Sequence, residues 1–248
     1  MRLTVIFILF SIFLQAQKSV LGKMSASVKT KFETGKDVIR FMHIKYKQAP
    51  CRSYTFSQKN NHYRNDSVIG NSEWHEYIEF PDKFRIDFGK SEDGNFVIFK
   101  NDSSYRYKNN TLKKIKEDSN ILLLLLGGMY YRELNNVFTR LEKEHFNAEI
   151  LSMQKIKTQT CYVIGAQKGD TLSNQIWVDQ ASFRIIRIIQ KMDSENTMDM
   201  SFDAFQKSCN GYTESKVTFK RNGKTEQVEE YYNIKSHEKI ADEIFNPK

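Results

Sequence analysis

Residues 74–88 read Trp74-His75-Glu76-Tyr77-Ile78-Glu79-Phe80-Pro81-Asp82-Lys83-Phe84-Arg85-Ile86-Asp87-Phe88. Successive side chains of a strand point to opposite faces, so this pattern puts Trp74, Glu76, Ile78 and Phe80 on one side and His75, Tyr77 and Glu79 on the other. Pro81 and Asp82 interrupt the ladder, because proline has no N–H to donate to it. The alternation then resumes, with Phe84, Ile86 and Phe88 facing one way and Lys83, Arg85 and Asp87 the other. Two amphipathic runs around a tight break predict an antiparallel pair.

The same period of two extends in both directions. Upstream, Tyr54 and Phe56 alternate with Thr55 and Ser57; Asn60-Asn61 and Gly70-Asn71 read as turns on either side of a His62 to Val68 strand. Downstream, strands are predicted at 96–99, 104–108 and 112–115, then at 150–153, 161–166, 175–179, 184–191, 198–205, 215–220 and 226–234. Two stretches break the rule. Thr34 and Asp37 form a capping-box pattern ahead of Val38, Phe41, Met42, Lys45 and Tyr46, which predicts a helix over 34–48. Ile121 to Tyr130 is apolar almost throughout, and Leu134, Val137, Phe138 and Leu141 follow at spacings of three and four. That predicts a short apolar helix, a break at Gly127-Gly128 and a second helix ending near Lys143. The expected class is α+β: a long antiparallel sheet of about eleven strands curled into an incomplete half barrel, with helices over about 118–143 acting as a lid.

The amino terminus predicts export. Met1-Arg2 precedes the apolar run Leu3 to Leu14, broken only by Thr4 and Ser11. It is shorter than the about 20 residues of a membrane span and fits the roughly 7–15 of a signal-peptide core, with Ala16 as the cleavage point. Residues 1–16 are thus expected to be removed, leaving 17–248 as one periplasmic domain, since three prolines and no Ser- or Gly-rich linker offer no second boundary. The net charge of +8 is spread over strands and turns without a basic block. Together with export, this argues against nucleic acid as a partner. Cys51, Cys161 and Cys209 are an odd count, allowing at most one internal disulfide.

A catalytic constellation is not legible. His43, His62, His75, His145 and His237 lie far apart, without HxH or HExxH spacing, and there is no GxSxG elbow or phosphate-binding glycine loop. No catalytic residue, metal ligand or cofactor is predicted, and acidic residues such as Glu76 and Glu79 read as single charges on exposed faces. What the chain has in excess is aromatic surface, with 18 Phe and 12 Tyr. A curved sheet leaves a concave face that helices or a ligand must fill. The residues expected to line such an apolar cavity are Ile78, Phe80, Phe84, Ile86 and Phe88 on the sheet, and Ile121, Leu122, Leu125 and Met129 on the lid.

The run Glu79 to Phe88 resembles the strand-turn-strand motif of the bacterial outer-membrane lipoprotein-carrier family (LolA-like). Phe96 to Asp102 followed by Tyr105-Arg106-Tyr107, the leucine-rich Ile121 to Gly127, Asn174 to Asp179 followed by Phe183 to Ile189, and Glu243-Ile244-Phe245-Asn246-Pro247 resemble later family elements in the family's order. Gly35 to Phe56 resembles the opening helix and first strand of one subgroup. The resemblance implies a half barrel with a helical lid, an apolar cavity in which Phe84 is an aromatic wall and to which Trp177 is added, and lipoprotein acyl chains or another lipid as cargo. It further implies an inner-membrane donor and an outer-membrane acceptor protein. An envelope lipid-sensing or protein-interaction module on the same fold is the alternative, and a purely structural envelope protein needs no cavity. The sequence departs from the family at one point: the basic residue expected before the turn proline, which ties lid to barrel, is Phe80.

Overall fold

The computed structural model describes residues 31–47, 52–208 and 211–246. The chain divides into two units, Met1–Glu33 and Thr34–Lys248, and the architecture below belongs to the second. The expected signal segment, Cys51 and Cys209 lie outside the described residues. Cys161 is buried with a free thiol.

Helix α1 (Gly35–Tyr46) begins at a complete capping box. The Thr34 side chain accepts a hydrogen bond from the Asp37 backbone, and the Thr34 N–H donates to the Asp37 carboxylate at 2.9 Å. These bonds satisfy amides that a helix start otherwise leaves unpaired. Six strands follow: β1 (Ser53–Arg64), β2 (Ser67–Glu79), β3 (Lys83–Phe88), β4 (Phe96–Lys100), β5 (Ser103–Lys108) and β6 (Thr111–Glu117). The helical insertion comprises α2 (Ile121–Leu125), a 3-10 turn at Gly128–Tyr131 and α3 (Leu134–Lys143). The chain then returns through β7 (Leu151–Ile156), β8 (Gln159–Ile164), β9 (Gln175–Asp179), β10 (Ile185–Lys191) and β11 (Thr197–Asp203). The small pair β12 (Gln206–Ser208) and β13 (Gly211–Thr213) precedes β14 (Lys216–Arg221), β15 (Lys224–His237) and a 3-10 turn at Asp242–Ile244.

Thirteen strands form one antiparallel sheet in the order β6-β5-β4-β3-β2-β1-β15-β14-β11-β10-β9-β8-β7. The described residues form fifteen strands, against about eleven expected, a difference that partly reflects the short β12–β13 pair. The first turns also move. Asn60-Asn61 and Gly70-Asn71 lie inside β1 and β2, which run as two long strands through a single turn at Asn65-Asp66. Asn60 is buried and accepts a hydrogen bond from the Gln58 amide at 2.8 Å, so its side chain serves the sheet interior and not a turn. Four of the hairpin turns share one chemistry. Asn65-Asp66, Asn101-Asp102, Asn109-Asn110 and Asn222-Gly223 all have positive φ at both positions, the backbone that a two-residue type I′ turn demands and that Asn, Asp and Gly tolerate.

The sheet order has one consequence for everything that follows. β6 and β7 are consecutive in the chain yet form the two opposite edges of the sheet. The helical insertion is the connection between those edges, and it crosses the concave face. Antiparallel pairing also fixes which residues share that face. Phe84 pairs with Phe99 and Ile78, Phe202 with Val217, and Ile188 with Met200 and Ile176.

The outer face of β3 and β4 is not the solvated surface that the sequence predicts. Asp87 is buried, held by Arg85 Nε at 2.6 Å and by the Ser91 hydroxyl at 2.7 Å. The carboxy-terminal segment, a 3-10 turn here and not a strand, lies over this face. Arg85 donates to the Ile244 carbonyl and Lys100 to that of Phe245, both at 2.9 Å, while the Arg85 guanidinium sits 3.9 Å from the Phe96 ring centroid. Phe245 is completely buried. Phe245→Ala is expected to lower stability by about 3–5 kcal/mol, read as a lower urea midpoint at unchanged slope. A change within experimental error contradicts the docking of this segment.

Candidate functional site: a lidded cavity on the concave face

The lid is assembled from apolar packing and a few charged ties. In α2, capped by Asn120 through a 3.0 Å bond from the Leu123 amide, Leu123, Leu124 and Leu125 are buried, while Ile121, Leu122 and Leu126 are half-buried. In α3, Val137 and Leu141 are fully buried. Arg140 on α3 grips the Asp102 carboxylate in the β4–β5 turn with both terminal nitrogens, one of them at 2.8 Å. That bidentate pair holds the Asp102 carboxyl below its ordinary range. α1 braces the insertion from the other side: the His43 ring lies 2.9 Å from the Arg132 carbonyl and the Tyr46 and Tyr130 rings are 5.2 Å apart.

Gly127-Gly128 reads in the sequence as a break and a hinge. The structure supplies a different need for both residues, which is space. A Cβ on Gly127 would lie 2.1 Å from the Phe80 ring, and one on Gly128 would lie 2.8 Å from the Pro81 carbonyl. Phe80 thus fills the position where the family resemblance leads one to expect a basic latch. Its ring presses on the lid backbone, stacks on Tyr131 at 6.0 Å and meets Tyr54 edge-on at 5.6 Å. The polar tie runs the opposite way, from lid to turn: Arg132 reaches the Pro81 carbonyl at 3.4 Å and the Asp82 carboxylate at 3.8 Å.

Beneath this lid lies a cavity of about 200 Å³. Ile78, Phe80, Phe84, Ile86 and Phe99 form its sheet wall and Leu122, Leu123 and Leu126 its lid wall. A neighbouring lobe of about 130 Å³ shares Tyr54, Phe80, Leu126, Thr213 and Glu214 with it and adds Leu125 and Arg184. Of the ten residues expected to line a cavity, Ile78, Phe80, Phe84, Ile86 and Leu122 line the larger lobe, and Phe80 and Leu125 the smaller. The other four are placed elsewhere. Phe88 shares the inner face but is taken up by an edge-on contact with Trp74 at 5.0 Å. Ile121 is half-buried outside both lobes, and Met129 is packed into the core of the lid turn. Trp177 is on the opposite face of the sheet: it pairs with Val163 and Arg187, while Ile176 and Val178 take the inner side. There it packs with Cys161, Val163 and Ala166 beneath the Arg187 guanidinium.

The sequence reading also missed a polar strip across the cavity floor. Glu76, expected on an exposed face, is 5% exposed, and Glu229 is 6% exposed. Both line the larger lobe together with Glu214. The signal was present: alternation already puts Glu76 between Trp74 and Ile78. Glu229 accepts from Gln227 at 2.7 Å and from the Tyr231 hydroxyl at 2.8 Å. Burial, then repulsion from Glu229 and Glu214, holds the Glu76 carboxyl well above its ordinary range. Burial pushes Glu229 up to about 7, against the opposing pull of its hydrogen bonds to Tyr231, Gln227 and Gln58. Raised folded values mean that the folded protein holds these protons more tightly than the unfolded chain. The Glu229 contribution to stability is complete below the ordinary value of 4.5 and is lost as pH rises through about 7, and the Glu76 contribution is likewise lost on the alkaline side of its ordinary value. Among the described residues, no group of three or more His, Cys, Asp or Glu is placed to hold a metal ion.

Three solved bacterial structures illustrate the likeness of this architecture to known folds. A LolA superfamily protein from Nitrosomonas europaea matches with a TM-score of 0.57 at 15% identity, covering 86% of this chain and 97% of that one. The fold is LolA-like. An outer-membrane lipoprotein-sorting protein domain, so described as putative, from Vibrio parahaemolyticus matches at 0.59 and 13% identity, covering 84% and 94%. A DUF1329 family protein from Desulfovibrio piger matches at 0.58 and 15%, covering 85% and 95%. No family model and no curated protein sequence matches the chain. At these identities the likeness to LolA-like structures is one of fold.

The close approach at Gly127 is directly testable. Gly127→Ala is expected to push the lid off Phe80 and to lower stability by about 1–3 kcal/mol, the usual cost of overpacking. In a Phe80→Ala background, Gly127→Ala is expected to cost markedly less than in the parent, a coupling that the double-variant cycle reads. If Gly127→Ala melts like the parent, the ring and the lid backbone are not in contact in solution.

Proposed function

We propose that this chain is an exported, periplasmic lipid carrier that takes an acyl chain of a lipoprotein or another lipid into the lidded cavity and passes it towards the outer membrane. The observation that carries this reading is the pairing of the two walls. Phe84, Ile86 and Phe99 on the sheet face Leu122 and Leu123 on the lid across empty space, where a scaffold would pack side chain against side chain. The LolA-like fold, and the words lipoprotein-sorting in the description of one structural neighbour, agree with it.

The size of the cavity sets the mechanism. An apolar hole of about 150 Å³ holds a ligand the size of benzene, so the larger lobe takes only part of an acyl chain while the lid is down. Loading therefore requires the lid to lift, exposing Leu122, Leu123 and Leu126, and the chain must replace the contacts they give up. Each fully buried leucine is worth about 1.5–3 kcal/mol. A ligand that covers the same surface offsets that loss, which makes exchange between lid and cargo nearly neutral. Donor and acceptor proteins in the two membranes would then bias the direction of transfer. A lipid-sensing module would use the same exchange without onward transfer.

Extraction of purified native protein with organic solvent, followed by mass spectrometry, is expected to yield bound acyl lipid. Phe84→Glu places an unpaired carboxylate against Phe99, at a cost of several kcal/mol unless the group stays protonated. The variant is expected to yield at least about tenfold less lipid. Parent protein with no lipid, or a variant that loads normally, contradicts the proposal.

A further inference from the structure

The cavity floor carries information about the head group of the ligand, an inference that rests on the carrier reading above. From the Glu76, Glu229 and Glu214 side chains on the cavity wall, and the absence of any lysine or arginine among the described residues lining that lobe, we infer that the preferred ligand is an amphiphile with a protonated amine beside its apolar chain.

Four observations support this. Glu76 is 95% buried, aimed into the cavity by strand alternation, and its carboxyl forms no hydrogen bond among the described residues. Gln58 stands on the same face between Trp74 and Tyr231, and its side-chain oxygen is a buried acceptor with no partner. Glu229 has donors from Tyr231 and Gln227, both neutral, so no cation balances it. The three carboxyls are not placed to chelate a metal ion. Arg184 lines the adjoining lobe, and its guanidinium lies over the Phe205 and Tyr212 rings at 4.7 and 4.6 Å.

A buried acceptor that lacks a donor is costly, and burial beside other carboxyls keeps such a group protonated until a cation compensates its charge. An ammonium group supplies three N–H donors and a compensating charge in one small volume. It would hydrogen-bond Glu76, while its chain lies along Phe84, Ile86 and Phe99 beneath Leu122. A free fatty acid would bring a fourth carboxylate into the same space and be rejected. A neutral alcohol offers one donor and no charge.

Calorimetric titration with dodecylamine, dodecanol and dodecanoate, each below its aggregation limit, tests the inference with chain length held constant. Dodecylamine is expected to bind about tenfold or more tightly than dodecanol, and dodecanoate most weakly. In Glu76→Gln/Glu229→Gln, the ratio of amine to alcohol affinity is expected to fall to about one; Glu76→Gln alone, the milder change, is expected to lose part of the preference. Three equal affinities in the parent, or an amine preference that survives in the double variant, overturns the head-group inference and leaves the cavity as a lipid site. Failure of all three to bind overturns the carrier reading and this inference with it.

Discussion

The separation of β6 and β7 to opposite edges of one sheet is the constraint on which the rest of the structure depends. Antiparallel neighbours usually join by short turns, and nearly every other connection along the main sheet does so. The β6–β7 connection instead has to travel from one edge to the other, and the direct route lies across the concave face. An apolar segment on that route is held between sheet and solvent, and it can bury its side chains only inward. Leu123, Leu124 and Leu125 do so. The cavity is what remains because the inward side chains of a curved sheet and a short helix do not meet everywhere.

The lid is closed by contacts of two kinds. Phe80 against Gly127 and Tyr131 is short-range and shape-dependent, so it is lost as soon as the helix moves. Arg140 with Asp102, and Arg132 with Pro81 and Asp82, are polar ties at the rim, where water competes for both partners. Neither kind commits the lid permanently. On the proposed reading the same holds for the polar floor, where a ligand's cation would compensate the buried carboxyls and its chain the contacts that the lid gives up.

Strand alternation made the antiparallel sheet and the faces of 74–88 legible, and the Thr34 capping box and the apolar run at 121 marked the two helical regions. What the pattern could not supply was the meaning of polar residues on an inward face. Glu76 has the right parity for the cavity, but a single glutamate between apolar residues reads as solvated until the opposing strands are known. Asn60 failed in the same way: asparagine is a turn former, and only its burial beside Gln58 and Gln227 reveals that it belongs to the sheet interior. Trp177 was placed in the cavity by the family resemblance, which carries no register, whereas its pairing with Val163 sets it on the opposite face. The docking of Ile244 and Phe245 on Arg85 and Lys100 depends on a carboxy-terminal path that no local periodicity encodes.

The central claim is that the insertion between β6 and β7 is a lid that exchanges its apolar contacts for those of a ligand. Hydrogen exchange followed peptide by peptide, with and without added acyl amphiphile, measures this most directly. Residues 121–130 are expected to exchange much faster than β1, β2 and β15 in the empty protein, with their protection changed by ligand while that of the central strands stays constant. Exchange as slow as in those strands, and indifferent to every amphiphile added, would make the segment a permanent part of the core and contradict the account.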